Sequence, residues 1–424
     1  MPRGRRVTGG RLFHGDEGRS RDPRAIQPYA GDLGRRNEKV KPIYMDHNAT
    51  TPLDPGVLDA MMPYLTEHFG NASSSTHTYG REAGRAVEDA RAKVAGIIGA
   101  TPREIVFTSG ATESDNLSIK GVAYAYRDKG DHIITSKVEH KAVLNSCKRL
   151  ESEGFEVTYL PVDSYGMVDP DDVRDAITDR TILVSIMAAN SEVGTVNPIV
   201  DIGAIAREKE VLFHTDATQA VGKLPVNVVD MNVDLMAMSG HKIYGPKGVG
   251  AMYVRRGLKL TPLADGGGQE RKRRSGTLNV PGIVGMGAAC DVTPKAIREE
   301  GKRLAELRDL LAGGITERIK HTRINGHPEQ RQPGNLNASF EFVEGESLIM
   351  ALKDFAVSSG SACTSDSLES SYVLLAMGIP ESVAHCSLRF GLGRGNTREH
   401  VEKLTDDLAV AVERLRAMSP LYRG

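Results

Sequence analysis

Lys242 stands in the run SGHKIYG at 239–245, directly after the apolar run VDLMAM at 233–238. A lysine at the end of an apolar strand would be partly buried, and desolvation lowers the pKa of its amine. The neutral amine is the form that forms an imine with an aldehyde. The alternative interpretation is a surface lysine in a glycine-rich turn.

Asp216 lies in the run HTDATQ at 214–219, at the carboxyl end of another strand-like run. Catalytic groups collect at this end of the strands in a parallel sheet. A carboxylate there either caps the next helix or faces a cationic ligand. Taken alone, the motif favours the helix cap.

The run TSGATES at 108–114 joins a strand-like segment to a helical one. A helix that begins after such a turn offers free N–H groups and the positive end of its dipole, which together bind a phosphate. The spacing is neither that of a nucleotide P-loop nor that of a dinucleotide-binding turn. The alternative is an ordinary helix cap by Ser109 or Thr112.

These three motifs agree on one ligand. A basic ring nitrogen facing a carboxylate, an aldehyde facing a lysine and a phosphate on a helix N-terminus together describe pyridoxal 5'-phosphate. The sequence therefore predicts that Asp216, Lys242 and the helix after residue 110 surround this cofactor.

Cys363 lies in a loop of small polar residues, SSGSACTS at 358–365. A cysteine in a Ser/Gly loop is accessible and can react, whereas structural cysteines lie among apolar neighbours. The alternative is a solvated loop with an incidental cysteine. Cys147, Cys290 and Cys386 lie in helix-like or strand-like surroundings and are expected to be packing residues.

Strand-like and helix-like segments alternate through the first two thirds of the chain. Residues 81–99 have the apolar spacing of an amphipathic helix, and strand-like runs occur at 105–108, 132–135, 156–160, 182–187, 211–214, 234–238 and 250–254. Such alternation predicts an α/β fold with a mostly parallel sheet flanked by helices.

The pattern changes after Pro281, where a long charged helix is expected over about 282–320, followed by short strands and helices. We expect a large domain over 55–281, and a smaller α+β domain of 42–54 with 282–424 that carries the loop of Cys363. Residues 1–41 carry eleven basic and five acidic residues without periodicity, so we expect a disordered extension. A start codon near Met45 and a nucleic-acid-binding arm are the alternatives.

Composition excludes several classes of protein. The formal net charge of −1 argues against a dedicated nucleic-acid binder, so no direct nucleic-acid binding is expected. Four cysteines without regular spacing make a disulfide framework or a metal site improbable and favour the cytoplasm. No apolar run approaches about 18 residues, so no membrane-spanning segment is expected.

The chain from about residue 43 to 422 resembles the cysteine desulfurases of the NifS/IscS type, within the class-V aminotransferases of the fold-type I pyridoxal-phosphate enzymes. The motifs that carry the resemblance occur in the same order and at similar spacing as in that family. They are DHNATTP at 46–52, 108–116, EHK at 139–141, DATQ at 216–219, 239–245, RSGT at 274–277, EGES at 344–347 and 358–365.

The resemblance implies a role for each matching residue. Lys242 would bond to the cofactor, Asp216 would hold its ring nitrogen protonated, Gln219 would bind the ring hydroxyl, and His140 would stack on the ring and move protons. Ala111, Thr112, Ser239 and His241 would hold the phosphate, with Thr277 reaching in from the second subunit of a homodimer. Asn190 and Arg389 would bind the substrate, L-cysteine.

In the reaction that the resemblance implies, Cys363 takes the sulfur of L-cysteine as a persulfide and L-alanine is released. A long loop would then carry the persulfide to an acceptor, such as the scaffold protein of iron–sulfur cluster assembly or the machinery of transfer-RNA thiolation. The chain departs from the family at Lys272 and Arg273, where a glycine and an apolar residue are common. It also ends at Gly424, without the extra C-terminal segment of many members. Both departures leave the identity of the sulfur acceptor undetermined.

Two rival functions share the predicted fold. An aminotransferase or a selenocysteine-preferring lyase would not need a nucleophilic cysteine at position 363 in the same way. A non-catalytic scaffold that only binds the cofactor would not need Lys242, Asp216, His140, Arg389 and Cys363 together.

Overall fold

The computed structural model describes residues 41–359, 370–420 and 422. The strands are β1 Ile43–Tyr44, β2 Ile105–Thr108, β3 His132–Ser136, β4 Glu156–Leu160, β5 Thr181–Ser185, β6 Leu212–Asp216, β7 Leu235–Ser239, β8 Gly250–Val254, β9 Thr322–Asn325, β10 Asn335–Phe340, β11 Phe355–Ala356, β12 Ser358–Ser359 and β13 Ser387–Gly391. The helices are α1 Pro55–Thr66, α2 Thr78–Ile97, α3 Ala111–Ala125, α4 Lys141–Glu151, α5 Pro170–Ala176, α6 Ile199–Glu208, α7 Gln269–Lys272, α8 Val280–Arg318, α9 Gly345–Ala351, α10 Tyr372–Ala376, α11 Glu381–Ala384 and α12 Arg398–Met418.

A seven-stranded sheet in the order β2-β8-β7-β6-β5-β3-β4 forms the centre of the fold. The neighbouring pairs from β7 to β4 are parallel, whereas β8 runs antiparallel to both β2 and β7. The predicted α/β class with a mostly parallel sheet is therefore confirmed.

Both faces of this sheet are buried, as helix-covered parallel sheets require. Along β2, Ile105 and Phe107 pack into one apolar core and Val106 into the other. The first core includes side chains of α2 and of the start of α8, and the second includes side chains of α3 and α4. Alternating side chains of one strand thus anchor helices on opposite faces.

A second sheet is four-stranded and antiparallel, in the order β12-β13-β10-β9. It packs with the end of α8, α9 and α12 around a separate apolar core that includes Leu311, Phe340 and Leu404. The strand β1 pairs in parallel with β11, which brings the beginning of the described chain to this core.

Residues Pro42–Gly424 form one compact unit, and within it α8 contributes its first residues to the core of the large sheet and its later ones to the core of the small sheet. We propose that these cores mark two domains, 55–281 and 42–54 with 282–424. Cys147, Cys290 and Cys386 are buried with free thiols, as packing residues should be. Within the described parts, no helix is both long and apolar enough to cross a membrane.

Candidate active site

A cavity of about 590 Å³ opens at the carboxyl ends of β5, β6 and β7. This volume lies within the range of small-molecule and cofactor sites. Nine of the residues predicted from the sequence line it: Ala111, Thr112, His140, Asp216, Gln219, Ser239, His241, Lys242 and Arg389.

Lys242 ends a single turn of 3-10 helix that follows β7. Its Nζ donates hydrogen bonds to the carbonyl oxygens of Asn48 and Ala49, both at 2.6 Å. The side chain is half-buried and reaches the cavity. The amine is therefore held in place by backbone from the N-terminal segment, as a fixed nucleophile requires.

Asp216 is the last residue of β6 and is buried. Its Oδ1 accepts a hydrogen bond from the backbone N–H of Thr218 at 2.9 Å, so the carboxylate does cap the turn that follows, as the alternative interpretation held. The same residue also lines the cavity, which leaves it able to face a cationic group. The two interpretations of this motif are thus compatible.

Gln219 follows one turn later and is part of a buried polar network. Its Nε2 donates to the carbonyl oxygen of Asn48 at 2.9 Å, and its Oε1 accepts from Lys223 Nζ at 2.6 Å. Asn48 Nδ2 lies 3.3 Å from the same Oε1. The side chain of Gln219 is consequently fixed on both sides.

The start of α3 forms an anion-binding end of the cavity. The residue before the helix is Gly110, so no side chain caps the first N–H groups of a helix of 15 residues. A side chain could not be added at Gly250, because its Cβ would lie 2.6 Å from Gly110 Cα. This close approach of β8 keeps the loop of Gly110 near Ser239, and Ser239 and Thr112 both line the cavity.

His241 lines the cavity next to the start of α3. Its Nδ1 lies 3.1 Å from Thr50 Oγ1. Burial, with the positive charges of Lys242, Lys247 and Lys223, lowers the pKa of His241 to about 4. The imidazole is therefore neutral at pH 7 and can offer one N–H to an anion.

His140 is the residue before α4, and its Nδ1 accepts a hydrogen bond from the N–H of Ala142 at 3.1 Å. This bond leaves the ring fixed against the wall of the cavity. The preceding residue, Glu139, is completely buried, and its Oε1 accepts from Ser136 Oγ at 2.7 Å and from the N–H of Met187 at 2.9 Å.

Arg389 reaches the cavity from the middle of β13. Its Nη2 donates to Asp46 Oδ1 at 2.8 Å and its Nη1 to the carbonyl oxygen of Ser191 at 3.3 Å. The Nε is buried and has no hydrogen-bond partner among the described residues. Since an unpaired buried donor is costly, this edge of the guanidinium is suited to receive a carboxylate.

Two predicted site residues are not among the residues that line this cavity, and a third cannot be placed. Asn190 is buried, and its amide is already used by the carbonyl oxygen of Val138 and the N–H groups of Glu192 and Val193. Thr277 is exposed and is not among the residues that line the cavity. Cys363 lies outside the described residues. The roles of all three stay predictions.

No sequence pattern gave a role to Lys223 or to the segment 48–50, although the segment lines the cavity and Lys223 contacts the cavity-lining Gln219. The segment lies in the run DHNATTP, which the family resemblance marked without a function. Lys223 follows Gly222 in a turn with no signature of its own, and only its contact with Gln219 reveals it.

The residues present fit pyridoxal 5'-phosphate. A buried carboxylate, a fixed amine and an uncapped helix start surround one cavity of suitable volume, and Arg389, whose buried Nε has no partner among the described residues, also lines it. This donor set matches the ring nitrogen, the aldehyde and the phosphate of the cofactor.

Comparison with known proteins agrees with this geometry. The sequence profile described as aminotransferase class-V matches residues 43–404. The chain belongs to this family. It is 54% identical to the "Probable cysteine desulfurase, mitochondrial" of Dictyostelium discoideum, over 93% of this chain and 88% of that protein. It is 56% identical to "Cysteine desulfurase IscS" of Anaeromyxobacter dehalogenans (strain 2CP-C), over 90% and 95%.

Among solved structures, "SspA in complex with cysteine" superimposes with a TM-score of 0.75 at 40% identity, over 82% of this chain and 98% of that chain. Enzymes of this family use pyridoxal 5'-phosphate. The predictions of the family, the enzyme class and the cofactor are therefore confirmed.

Proposed function

We propose that the protein removes the sulfur of L-cysteine, releases L-alanine and holds the sulfur as a persulfide on Cys363 for transfer to an acceptor. The observation that carries this proposal is the arrangement of Lys242, Asp216 and Arg389 around one cavity. The names of its relatives, and the cysteine bound to a similar structure, support the substrate.

The cofactor would lie between the start of α3 and Asp216. Ala111, Thr112, Ser239 and His241 would hold its phosphate at the helix end, where free N–H groups bind anions. The Asp216 carboxylate would keep a proton on the ring nitrogen, and Gln219 would bind the ring hydroxyl. When bound, pyridoxal phosphate withdraws electrons from the α-carbon of the substrate and weakens the bonds around it.

Arg389 would bind the substrate carboxylate through its free Nε and an adjacent N–H, because a guanidinium matches a carboxylate with two parallel bonds. Asp46, at 2.8 Å from Nη2, fixes the orientation of this group. Lys242 would bond to the cofactor before the substrate arrives and would remove the proton of the substrate α-carbon afterwards. His140, which lines the cavity, would stack on the ring and carry protons, and Asn190 would support the substrate side of the site.

Cys363 would act as a thiolate on the sulfur of the substrate. A sulfur–sulfur bond forms, the carbon–sulfur bond breaks, and its electron pair stays on the carbon fragment, which is protonated to L-alanine. The described residues on both sides of the loop contact the site. Ser358 pairs with Arg389 across β12 and β13, and Tyr372 Oη donates to the carbonyl oxygen of Glu139 at 2.7 Å.

We further propose a homodimer in which Thr277 reaches the phosphate in the site of the other subunit. The sulfur acceptor would be an iron–sulfur scaffold protein or another sulfur carrier, and the location would be the cytoplasm. The exposure of Thr277 outside its own cavity supports the first point. The buried free thiols of Cys147, Cys290 and Cys386 suit a reducing compartment.

The test is incubation of the purified protein with L-cysteine and a thiol reductant, measuring L-alanine and sulfide together. The proposal requires both in equal amounts, and a visible absorption band of the bound cofactor. Lys242→Ala is the control and should lose the band of the lysine-bound cofactor and both products. Alanine without sulfide, or a wild-type protein that stays colourless with added cofactor, would contradict the proposal.

A further inference from the structure

The carbonyl oxygens of Asn48 and Ala49 form a seat for the amine of Lys242, which we call the carbonyl seat. Both oxygens accept a hydrogen bond from Lys242 Nζ at 2.6 Å. Carbonyl oxygens only accept hydrogen bonds, and those donated by an ammonium are roughly twice as strong as those donated by a neutral amine. Burial of the side chain favours the neutral amine, whereas the carbonyl seat favours the protonated one.

Asn48 is held by amide side chains on two sides. Its Nδ2 donates to Gln332 Oε1 at 3.1 Å and lies 3.3 Å from Gln219 Oε1. Its carbonyl oxygen accepts in return from Gln219 Nε2 at 2.9 Å. The half of the carbonyl seat that Asn48 supplies therefore depends on where these two amides hold it.

Gln332 lies between β9 and β10 and is buried. Its Nε2 donates to the carbonyl oxygen of Asn190 at 3.0 Å, and its backbone N–H donates to the carbonyl oxygen of Gly194 at 2.9 Å. Its own carbonyl oxygen accepts from Arg308 Nη1 at 3.1 Å. With Asn48 bound at Oε1, all four polar groups of Gln332 are in use.

The direction of the Gln332 amide is set by these partners. The carbonyl oxygen of Asn190 only accepts, so it must face the Nε2 end. The Oε1 end then faces Asn48 and only accepts, so the side chain of Asn48 must turn its Nδ2 toward Gln332. Gln332 therefore holds Asn48 in one orientation, which an apolar side chain of the same length could not do.

The carbonyl seat acts in opposite directions on two steps of the proposed reaction. When Lys242 takes the proton of the substrate α-carbon, the C–H bond breaks, an N–H bond forms, and the electron pair passes into the cofactor. The amine becomes an ammonium, and dipoles fixed beforehand stabilise a charge that develops in a reaction. Capture of the cofactor aldehyde, in contrast, needs the neutral amine, which the seat disfavours.

We propose that Gln332 is a positioning residue that holds Asn48, and through it the carbonyl seat, so that Lys242 keeps the proton it takes from the substrate. This inference rests on the proposed function, because it concerns Lys242 as the base of that reaction. It gives a role to a buried residue that is not among those lining the active-site cavity.

The experiment measures two rates in the full-length protein. The first is the appearance of the visible band after pyridoxal 5'-phosphate is added to the cofactor-free protein. The second is the exchange of the α-hydrogen of L-alanine, the proposed product, for deuterium in heavy water by the loaded protein, followed by NMR. Gln332→Met removes both side-chain hydrogen bonds at nearly constant length. We expect the first rate to rise and the second to fall, each by about threefold, the effect of weakening one hydrogen bond.

Gln330→Met is the matched control, because it makes the same change on an exposed side chain two residues earlier, and both rates should stay as in the wild type. Asn48→Ala should change both rates in the same directions as Gln332→Met. The double variant should go no further than either single one, because Gln332 acts through Asn48. Asn48→Ala carries the test by itself if Gln332→Met does not fold.

A residue with only a structural role would, when lost, slow both rates or leave both unchanged. Any result in which the two rates do not move in opposite directions therefore contradicts the inference. A double variant that shows the sum of the two single effects contradicts it as well. A wild-type protein that neither forms the visible band nor exchanges L-alanine would instead overturn the proposed function.

Discussion

At the scale of single residues, the buried Glu139, next in the chain to the cavity-lining His140, holds a proton at neutral pH. The side chain is completely buried, and its Oε2 has no hydrogen-bond partner among the described residues. Burial raises the pKa of Glu139 to about 8, and the nearby charge of Asp216 acts in the same direction. The residue is therefore a neutral acid at pH 7.

This proton makes stability depend on pH. The folded pKa lies above the unfolded value of 4.5, so the folded state binds more protons between about pH 4.5 and about pH 8. The contribution is present below this window and is lost as the pH rises through it, at about 1.4 kcal/mol for each unit of pKa difference. Glu139→Gln, which imitates the neutral acid, should remove this part of the pH dependence in urea unfolding. An unchanged slope would show that Glu139 is ionised in the folded protein.

Cys363→Ser separates sulfur transfer from cofactor binding. The hydroxyl of serine has a far higher pKa and little affinity for sulfur, so we expect sulfide release to fall at least about a hundredfold. The visible band should be kept, and intact mass should show no persulfide. Cys386→Ala is the control, since its buried thiol donates to the carbonyl oxygen of Ser382 and should not take part in turnover. Near wild-type sulfide release by Cys363→Ser would place the nucleophile elsewhere.

Site residues that directly follow a strand could be predicted from the sequence, whereas groups placed by contacts between distant parts of the chain could not. Lys242 and Asp216 stand directly after strands, so their chain neighbours reveal their position. The carbonyl oxygens of 48–49 gain their role from a lysine almost 200 residues later in the chain. Such contacts depend on tertiary packing and leave no local pattern.

At the scale of elements, the segment around α7 is held in an unfavourable backbone conformation. Glu270, Arg271 and Lys272 have φ of 43°, 56° and 63°, a region that costs roughly 1–2 kcal/mol for each non-glycine residue. Glu270 is bound by Arg91 through two bonds of 2.7 and 2.8 Å and accepts from the N–H of Phe107 at 2.7 Å. This buried anchor offsets the cost and fixes the segment that leads to Thr277.

Glu270→Ala should therefore destabilise the protein by about 3–5 kcal/mol, because the buried guanidinium of Arg91 loses its bidentate carboxylate and the buried N–H of Phe107 loses its acceptor. Urea unfolding measures the loss. Glu88→Ala is the matched control: Glu88 binds the same Arg91 at 3.0 Å, but 60% of its side chain is exposed. It should cost less than about 1 kcal/mol. Equal losses of unfolding free energy for both variants would show that burial of the Arg91–Glu270 pair does not set its contribution to stability.

Elements with a strong local period were predicted well. Strands β2 to β8 and the helix α8, expected at 282–320 and observed at Val280–Arg318, follow the sequence pattern. The strands β1, β9, β11 and β12 have two to four residues, and β1 and β9 were missed, because pairing with distant strands defines them. The antiparallel direction of β8 is also set by its neighbours and not by its composition.

At the scale of the whole molecule, the proposed homodimer places parts of one site on two chains. Thr277→Val should weaken cofactor affinity by about tenfold, the effect of losing one hydrogen bond to a charged group.

A mixed dimer of two variants tests whether the site is shared. Chains with Lys242→Ala cannot form the visible band but still carry Thr277. When the two variants are refolded together, mixed dimers should regain one site of wild-type affinity, detected by titration of the visible band. Mixing the folded variants without exchange is the control. A fully active monomer in sedimentation, or no regained site, would refute a shared site.

The pairing of β1 with β11 also has a consequence for biosynthesis. Ile43 lies opposite Phe355, so the ribosome adds roughly 300 residues between them, which takes about 15–60 s at about 5–20 residues per second. During that time the carbonyl oxygens of Asn48 and Ala49 cannot be fixed against the small core. Lys242 is thus synthesised before these two carbonyl oxygens, its hydrogen-bond acceptors, reach their final positions. A nascent chain can complete the large sheet early, yet the site closes only when translation is nearly finished.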